Sequence, residues 1–273
     1  MKIGNKEFDL QNEKYIMGIL NVTPDSFSDG GNYNDMDKAL FHVEEMINDG
    51  ADIIDVGGES TRPGYTKISD EEEILRVVPI ITSIKERFDI PVSVDTYKGS
   101  VAEAALAVGA DLINDIWGFK HDNIIANVTA KAGVPCCLMH NRIEAVYQSY
   151  MADVIKDLEE SIRIAEEAGV DKNKIILDPG VGFGKDYKQN LEVIQRLDML
   201  CDMGYPVLLG TSRKSVIGLT LNIPAKERVS GTVATTVIGA LRGASIFRVH
   251  DVKENKQALL MTEAIVNYGR NKN

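Results

Sequence analysis

The chain has 273 residues, 44% of them apolar and 26% charged, which suits one large α/β domain with a sizeable core. Its formal charge is −11, from 30 basic and 41 acidic residues; a surface that acidic repels phosphate backbones and argues against nucleic acid as a partner. No apolar run approaches the roughly 20 residues of a membrane-spanning helix, and the polar opening "MKIGNKEFDLQNEK" has no signal-peptide core, so the expectation is a cytoplasmic protein without membrane association.

The opening segment "KIGNKEFDLQNEKY" reads as a short β-hairpin closing the bottom of the structure. Eight apolar runs follow: "YIMGILNV", "DIIDVGG", "PVSVDT", "DLINDIW", "VPCCLMH", "KIILDPG", "PVLLGTS" and "SIFRVHD". They are near-continuously apolar, as in strands buried on both faces. Helical spacing lies between most of them, in "DKALFHVEEMINDGA", "DEEEILRVVPIITSIKERF", "SVAEAALAVGA", "DVIKDLEESIRIAEEAGV" and "QNLEVIQRLDMLCDMG". Two more helices are expected around "ERVSGTVATTVIGALRGA" and "ENKQALLMTEAIVNYG". Strand alternating with helix, without a linker, predicts a (β/α)₈ TIM barrel as a single domain over residues 1–273. A doubly wound sheet would want a phosphate fingerprint after its first strand, and "GILNVT" is not one.

Barrel chemistry sits where the strands end, so the end of each run matters. In chain order these are Asn21, Asp55, Asp95, Asn114 with Asp115, Met139 with His140, Asp178, Arg213 with Lys214, and Arg248, His250 and Asp251. One such residue is often just the cap of the next helix. Polar groups at all the strand ends instead outline one cavity that must find partners or a ligand. Asp95, Asn114 and Asp178 offer carboxylate and amide partners for a heterocycle with adjacent N–H donors. Lys214 adds a donor for a ring carbonyl or nitrogen. Arg248, His250 and Asn21, on strands that neighbour one another in a closed barrel, suit an anion such as phosphate. The mouth therefore reads as an acidic half and a basic half, for an N–H-rich ring joined to a phosphate.

"DPGVGFGKD" is Gly-rich but fits neither nucleotide-loop pattern; its glycines give clearance around a flat ring, which Phe183 can cover. Cys136, Cys137 and Cys201 show no metal spacing and read as reduced thiols. His42, His121, His140 and His250 show no ligand spacing either.

Taken together, "GILNVTPDSFSDGG", "DIIDVGGESTRPG", "SVDT", "INDI", "ILDPGVGFGKD", "TSRKSVIG" and "FRVHDV" resemble the dihydropteroate synthase family, in order from Met17 to Val252. The resemblance implies a barrel that joins p-aminobenzoate to 6-hydroxymethyl-7,8-dihydropterin pyrophosphate, releasing pyrophosphate, in folate biosynthesis. It implies pterin contacts at Asp95, Asn114, Met139, Asp178, Lys214 and Arg248, the last also stacking on the ring. It implies pyrophosphate contacts at Asn21, Thr61, Arg62, Arg248 and His250, with Mg²⁺ at Asn21. The p-aminobenzoate side falls to Phe27, Pro63, Phe183, Lys214 and Ser215, and sulfonamides that mimic this substrate are the expected inhibitors. Asp95, Lys214, Arg248 and His250 carry the catalytic roles. One departure stands out: after "MH" the family often reads "MRG", and this chain reads "NRIEAV".

Two loops, "TPDSFSDGGNYND" and "ESTRPGYTKIS", exceed the roughly 2–6 residues a βα connection needs. With Gly30, Gly31 and Gly64 for backbone freedom, they are expected to cover the mouth and exclude water. The rival reading is a pterin-binding methyltransferase that passes a methyl group from methyltetrahydrofolate to a corrinoid protein; it needs neither an anion site nor an arylamine pocket. The few charges and closely spaced small residues of "SGTVATTVIGALRGA" predict a homodimer.

Overall fold

The computed structural model describes residues 1–22, 32–59 and 67–268. An eight-stranded parallel sheet curls into a barrel. Its strands are β3 (Tyr15–Asn21), β4 (Ile53–Gly57), β5 (Val92–Asp95), β6 (Leu112–Asp115), β7 (Cys136–Met139), β8 (Ile175–Asp178), β9 (Leu208–Leu209) and β10 (Ile246–Val249). Neighbours run in the order β8-β7-β6-β5-β4-β3-β10-β9. The ring closes through a parallel bridge between Leu177 and Val207, where the Leu177 N–H donates to the Pro206 carbonyl at 2.9 Å. The expected (β/α)₈ barrel is the observed one.

Side chains alternate between the two faces of each strand. Ile16, Ile54, Val92, Val94, Ile113, Leu138, Leu177 and Phe247 point outward and form the core between sheet and helices. Met17, Ile53, Leu112, Cys137, Ile176, Leu208 and Ile246 fill the barrel from within. The hairpin of β1 (Lys2–Ile3) and β2 (Lys6–Glu7) lies beneath them, and Ile3, Phe8 and Leu10 complete that inner cluster. Burying those apolar groups is what holds a hairpin too short to be stable alone.

The helices are α1 (Asn32–Asn48), α2 (Asp70–Arg87), α3 (Gly99–Ala107), α4 (Asn123–Ala132), α5 (Tyr150–Glu167), α6 (Tyr187–Gln195), α7 (Asp198–Cys201), α8 (Ser215–Leu221), α9 (Val229–Leu241) and α10 (Val252–Val266). Local chemistry sets several ends. Ser69 caps α2 through the Glu72 N–H at 3.2 Å, and acidic residues fill its first turn. Asp186 and Gln189 form a reciprocal capping box at α6. The sequence reading places no helix at α4 or α8, and it runs α6 and α7 together.

Candidate active site

The strand register levels the polar residues. Asn21 pairs with Gly57, Gly57 with Asp95, and Asp95 with Asn114, so these form one row around the rim. Met139 pairs with Asp178 on the far side. Gly57 sits between two residues of that row: a Cβ there would lie 3.7 Å from both Asn21 Oδ1 and Asp95 Oδ2. A Cβ at Gly210 would lie 3.9 Å from Asp178 Oδ2, Lys214 Nζ and Arg248 Cβ, so these groups converge on one point.

Arg248 reaches across the mouth. Its Nε donates to Asp55 Oδ2 at 2.6 Å and its Nη2 to Asp95 Oδ2 at 2.5 Å. The charges are therefore interleaved, and the expected division into an acidic and a basic half does not hold for Arg248. Burial works against its charge, but Asp55 and Asp95 outweigh that and raise its pKa further. Asp55, fully buried, also accepts from Asn114 Nδ2 at 3.3 Å. That bond orients the Asn114 amide and leaves its Oδ1 as the acceptor. The sequence reading noted Asp55 as a strand end and gave it no role, yet it anchors both neighbours. The signal was there in the period-two alternation from Ile53.

Asp95 has one buried oxygen, Oδ1, without a hydrogen-bond partner among the described residues. Burial pushes its carboxyl above the usual range, with Arg248 pulling the other way. Asp178 is likewise raised by burial, opposed chiefly by Lys214; its Oδ1 accepts the Gly180 N–H at 2.6 Å. Burial lowers the Lys214 pKa to about 8, with Asp178 acting against it. The Lys214 ammonium donates to the Val181 carbonyl and stands 4.8 Å from the Phe183 ring centre. Met139, Tyr97, Ile116, Trp117 and Phe183 form an apolar cluster. Ser215 opens α8 directly after Lys214.

At the end of β10, Ser212 Oγ accepts the His250 backbone N–H at 3.1 Å and lies 2.9 Å from His250 Nδ1. With the serine hydroxyl donating to Nδ1, the ring proton belongs on Nε2, a donor suited to an anion.

Other strand ends leave the mouth. His140 follows inward Met139, so alternation turns it outward, where it is fully buried against α5. Asp115 accepts the N–H groups of Trp117 and Phe119 at 2.7 and 2.8 Å. Arg213 and Asp251 pair with each other, Nε to Oδ2 at 2.9 Å. Phe27, Thr61, Arg62 and Pro63, with most of the two long loops, lie outside the described residues; the first loop is expected to run to Asp35, but α1 already starts at Asn32. A cleft of about 880 Å³ beside the mouth is lined by Tyr97, Lys98, Lys120 and His121 among others. Lys98 there is already held by Glu59 and Glu73, and Lys120 by the Asp157 carbonyl.

Among the described residues no group of three or more His, Cys, Asp or Glu side chains could hold a metal ion. Asn21 Oδ1 beside Asp95 fits Mg²⁺ only as an ion that takes most of its oxygens from water and a bound phosphate, which is how this cation is usually held.

A family model described as "Pterin binding enzyme" matches residues 17–250. The dihydropteroate synthase of Clostridium beijerinckii is 64% identical over 267 residues, covering 97% of this chain and 99% of that protein. Among solved structures, a dihydropteroate synthase from Clostridium difficile, determined in the presence of pteroic acid, superposes with a TM-score of 0.93 at 53% identity, over 95% of this chain and 99% of the other. The Yersinia pestis dihydropteroate synthase in a sulfonamide drug complex gives 0.91 at 43% identity, over 98% and 99%.

Proposed function

The chain belongs to the pterin binding enzymes and, within them, to the dihydropteroate synthases, transferases that join p-aminobenzoate to 6-hydroxymethyl-7,8-dihydropterin pyrophosphate; from that premise we propose how its mouth divides the work. The observation that carries the reading is the convergence of Asp55, Asp95, Asn114, Asp178, Lys214 and Arg248 on one rim, with a buried Asp95 oxygen free of any partner among the described residues.

The pterin takes the acceptors. Asp178 and the oriented Asn114 amide receive its adjacent N–H groups, Lys214 donates to its carbonyl or ring nitrogen, and Met139 lines the ring. Arg248 leaves part of its contact with Asp95 and stacks on the ring, while His250, Arg248 and Asn21 receive the pyrophosphate. When bound there, Mg²⁺ supplies neutralisation of the leaving pyrophosphate. Arg248 and His250 stabilise the same developing charge from the protein side.

The methylene carbon left behind belongs to an electron-rich dihydropterin that spreads positive charge. Bond breaking therefore leads bond making, an S_N1-like path, and Asp95 stabilises the cation. The arylamine is a neutral, weakly basic nucleophile; once its nitrogen bonds to the methylene carbon, the acidic proton it then carries passes to water or the departing pyrophosphate, so no strong general base is needed. It approaches past Phe183, Lys214 and Ser215. The Yersinia pestis relative forms a complex with a sulfonamide drug, which supports reading sulfonamides as inhibitors of this chain as well.

The same reading includes a cytoplasmic homodimer. No helix among the described residues is long and apolar enough to cross a membrane. Ile238 and Leu241 on α9, with Leu260, Met261 and Ile265 on α10, expose an apolar surface that a second copy would cover.

The test is product identity by mass spectrometry after incubation with pterin pyrophosphate, p-aminobenzoate and Mg²⁺. Formation of 7,8-dihydropteroate is expected; transfer of a methyl group from methyltetrahydrofolate in its place would overturn the reading.

A further inference from the structure

The loop from Asp178 to Asp186 is held from two sides by two lysines. On the mouth side the Val181 carbonyl accepts from Lys214. From behind, Lys185 Nζ meets the carbonyls of Gly180 and Phe183, each at 3.0 Å, and His140 Nδ1 at 2.7 Å. An ammonium has three N–H donors, and these acceptors saturate them. Val181 thus faces one lysine while its flanking turn, closed by Phe183 N–H to Gly180 O at 3.1 Å, faces the other.

Lys185 is itself fixed. Where Lys185 is an ammonium donating to Nδ1, the His140 proton sits on Nε2, which lies 3.0 Å from Asp157 Oδ2. Asp157 is gripped by Arg142, Nε at 2.6 Å and Nη2 at 3.2 Å. Burial opposes ionisation of Asp157, but the bonds from His140 and Arg142 more than offset it and hold its carboxyl well below the usual range. The departing stretch "NRIEAV" supplies Arg142. Behind the loop there is no slack: Gly180 has φ +67°, and a Cβ there would lie 1.9 Å from the His140 carbonyl oxygen. Burial draws the Lys185 pKa down to about 7, with Asp178 pulling upward. The charged and titratable groups facing it are His140 after β7, Asp157 and Arg142 around α5, Asp178 on β8 and Lys214 before α8.

We propose that Lys185 is a positioning residue for the arylamine half of the reaction. Its ammonium sets the turn over residues 180–183, so that Phe183 stands where the arylamine is received. This rests on the assignment of that side to Phe183, Lys214 and Ser215. Asp178 touches the turn through the Gly180 N–H but is fixed by its place at the end of β8, and Lys214 by its own backbone ahead of α8, so pterin binding depends on the clamp less than Phe183 does.

The experiment compares Lys185→Met, Asp157→Asn and Phe183→Ala with wild type in the full chain. It measures the KM for p-aminobenzoate, the Kd for the pterin pyrophosphate by calorimetry, and the unfolding midpoint. Lys185→Met should raise the arylamine KM about 10-fold or more, the usual cost of losing a partner that orients a binding group. Its pterin Kd should stay within about threefold of wild type, the split that a general loss of fold would not produce. Asp157→Asn should shift the same constant in the same direction by less, and it decides the matter if Lys185→Met does not fold. An unchanged arylamine KM in the clamp variants, beside a raised one in Phe183→Ala, overturns the clamp and leaves the site assignment standing. Equal losses for both substrates overturn it too. An unchanged KM in Phe183→Ala overturns the arylamine assignment and the clamp with it.

Discussion

Arg248 is gripped by two buried carboxylates at once, and this decides what its removal does. Arg248→Ala would leave Asp55 buried without its cation. Removing one partner of a buried pair costs about 3–5 kcal/mol, so denaturant unfolding should show a loss of that order alongside the loss of activity. A stability unchanged within error would mean that Asp55 does not depend on Arg248. Asp178→Asn makes a different demand. The neutral amide would turn an N–H toward the ring's own donors, and losing a charge-assisted pair should weaken pterin binding by about 1.5–3 kcal/mol. Calorimetry with the pterin pyrophosphate checks this, and an unchanged Kd would remove Asp178 from the ring. Most residues of this rim were legible from the sequence because barrel chemistry gathers at strand ends. The place of Asp55 was read but its role was not, because a carboxylate near "GGEST" looks like any strand terminus until Arg248 is seen to reach it. His140 was misplaced at the mouth for a plain reason. It neighbours Met139 on one strand, and neighbours face opposite ways.

At the scale of elements, the link between β7, α5 and the loop after β8 should make this region acid-sensitive. Burial lowers the His140 pKa to about 4 from an ordinary 6.5. Between those values the unfolded chain binds a proton that the folded one refuses, so stability rises with pH through that window and falls as acid is added. The stability lost across it is about 3 kcal/mol. Unfolding midpoints from pH 7 to 4 should therefore drop more steeply in wild type than in His140→Gln, which has nothing there to titrate. Parallel curves would contradict the buried neutral imidazole. The long helices α2 and α5 were legible from apolar periodicity. The short ones were not: α8 spans seven residues, too few for a period to repeat clearly. The signal for α4 lies in its ends, Asp122 accepting the Ile124 N–H at 2.9 Å and Gly133 at φ +66°. The terminal hairpin and its place at the barrel bottom were legible from the sequence; that Ile3 joins the inner barrel residues was not.

For the whole molecule, the exposed apolar residues of α9 and α10 predict a second copy. Sedimentation at micromolar concentration should give about twice the 30.0 kDa chain mass. A single species at the chain mass would refute the homodimer. The barrel's division of labour rests on one reaction, and it can be followed directly. Pyrophosphate release from 6-hydroxymethyl-7,8-dihydropterin pyrophosphate should be measured with Mg²⁺, with and without p-aminobenzoate, in wild type and in Asp178→Asn. The account predicts release that rises with added p-aminobenzoate, falls when a sulfonamide is present, and is strongly reduced in the variant. Release that ignores the arylamine, or that survives unchanged in Asp178→Asn, would contradict it.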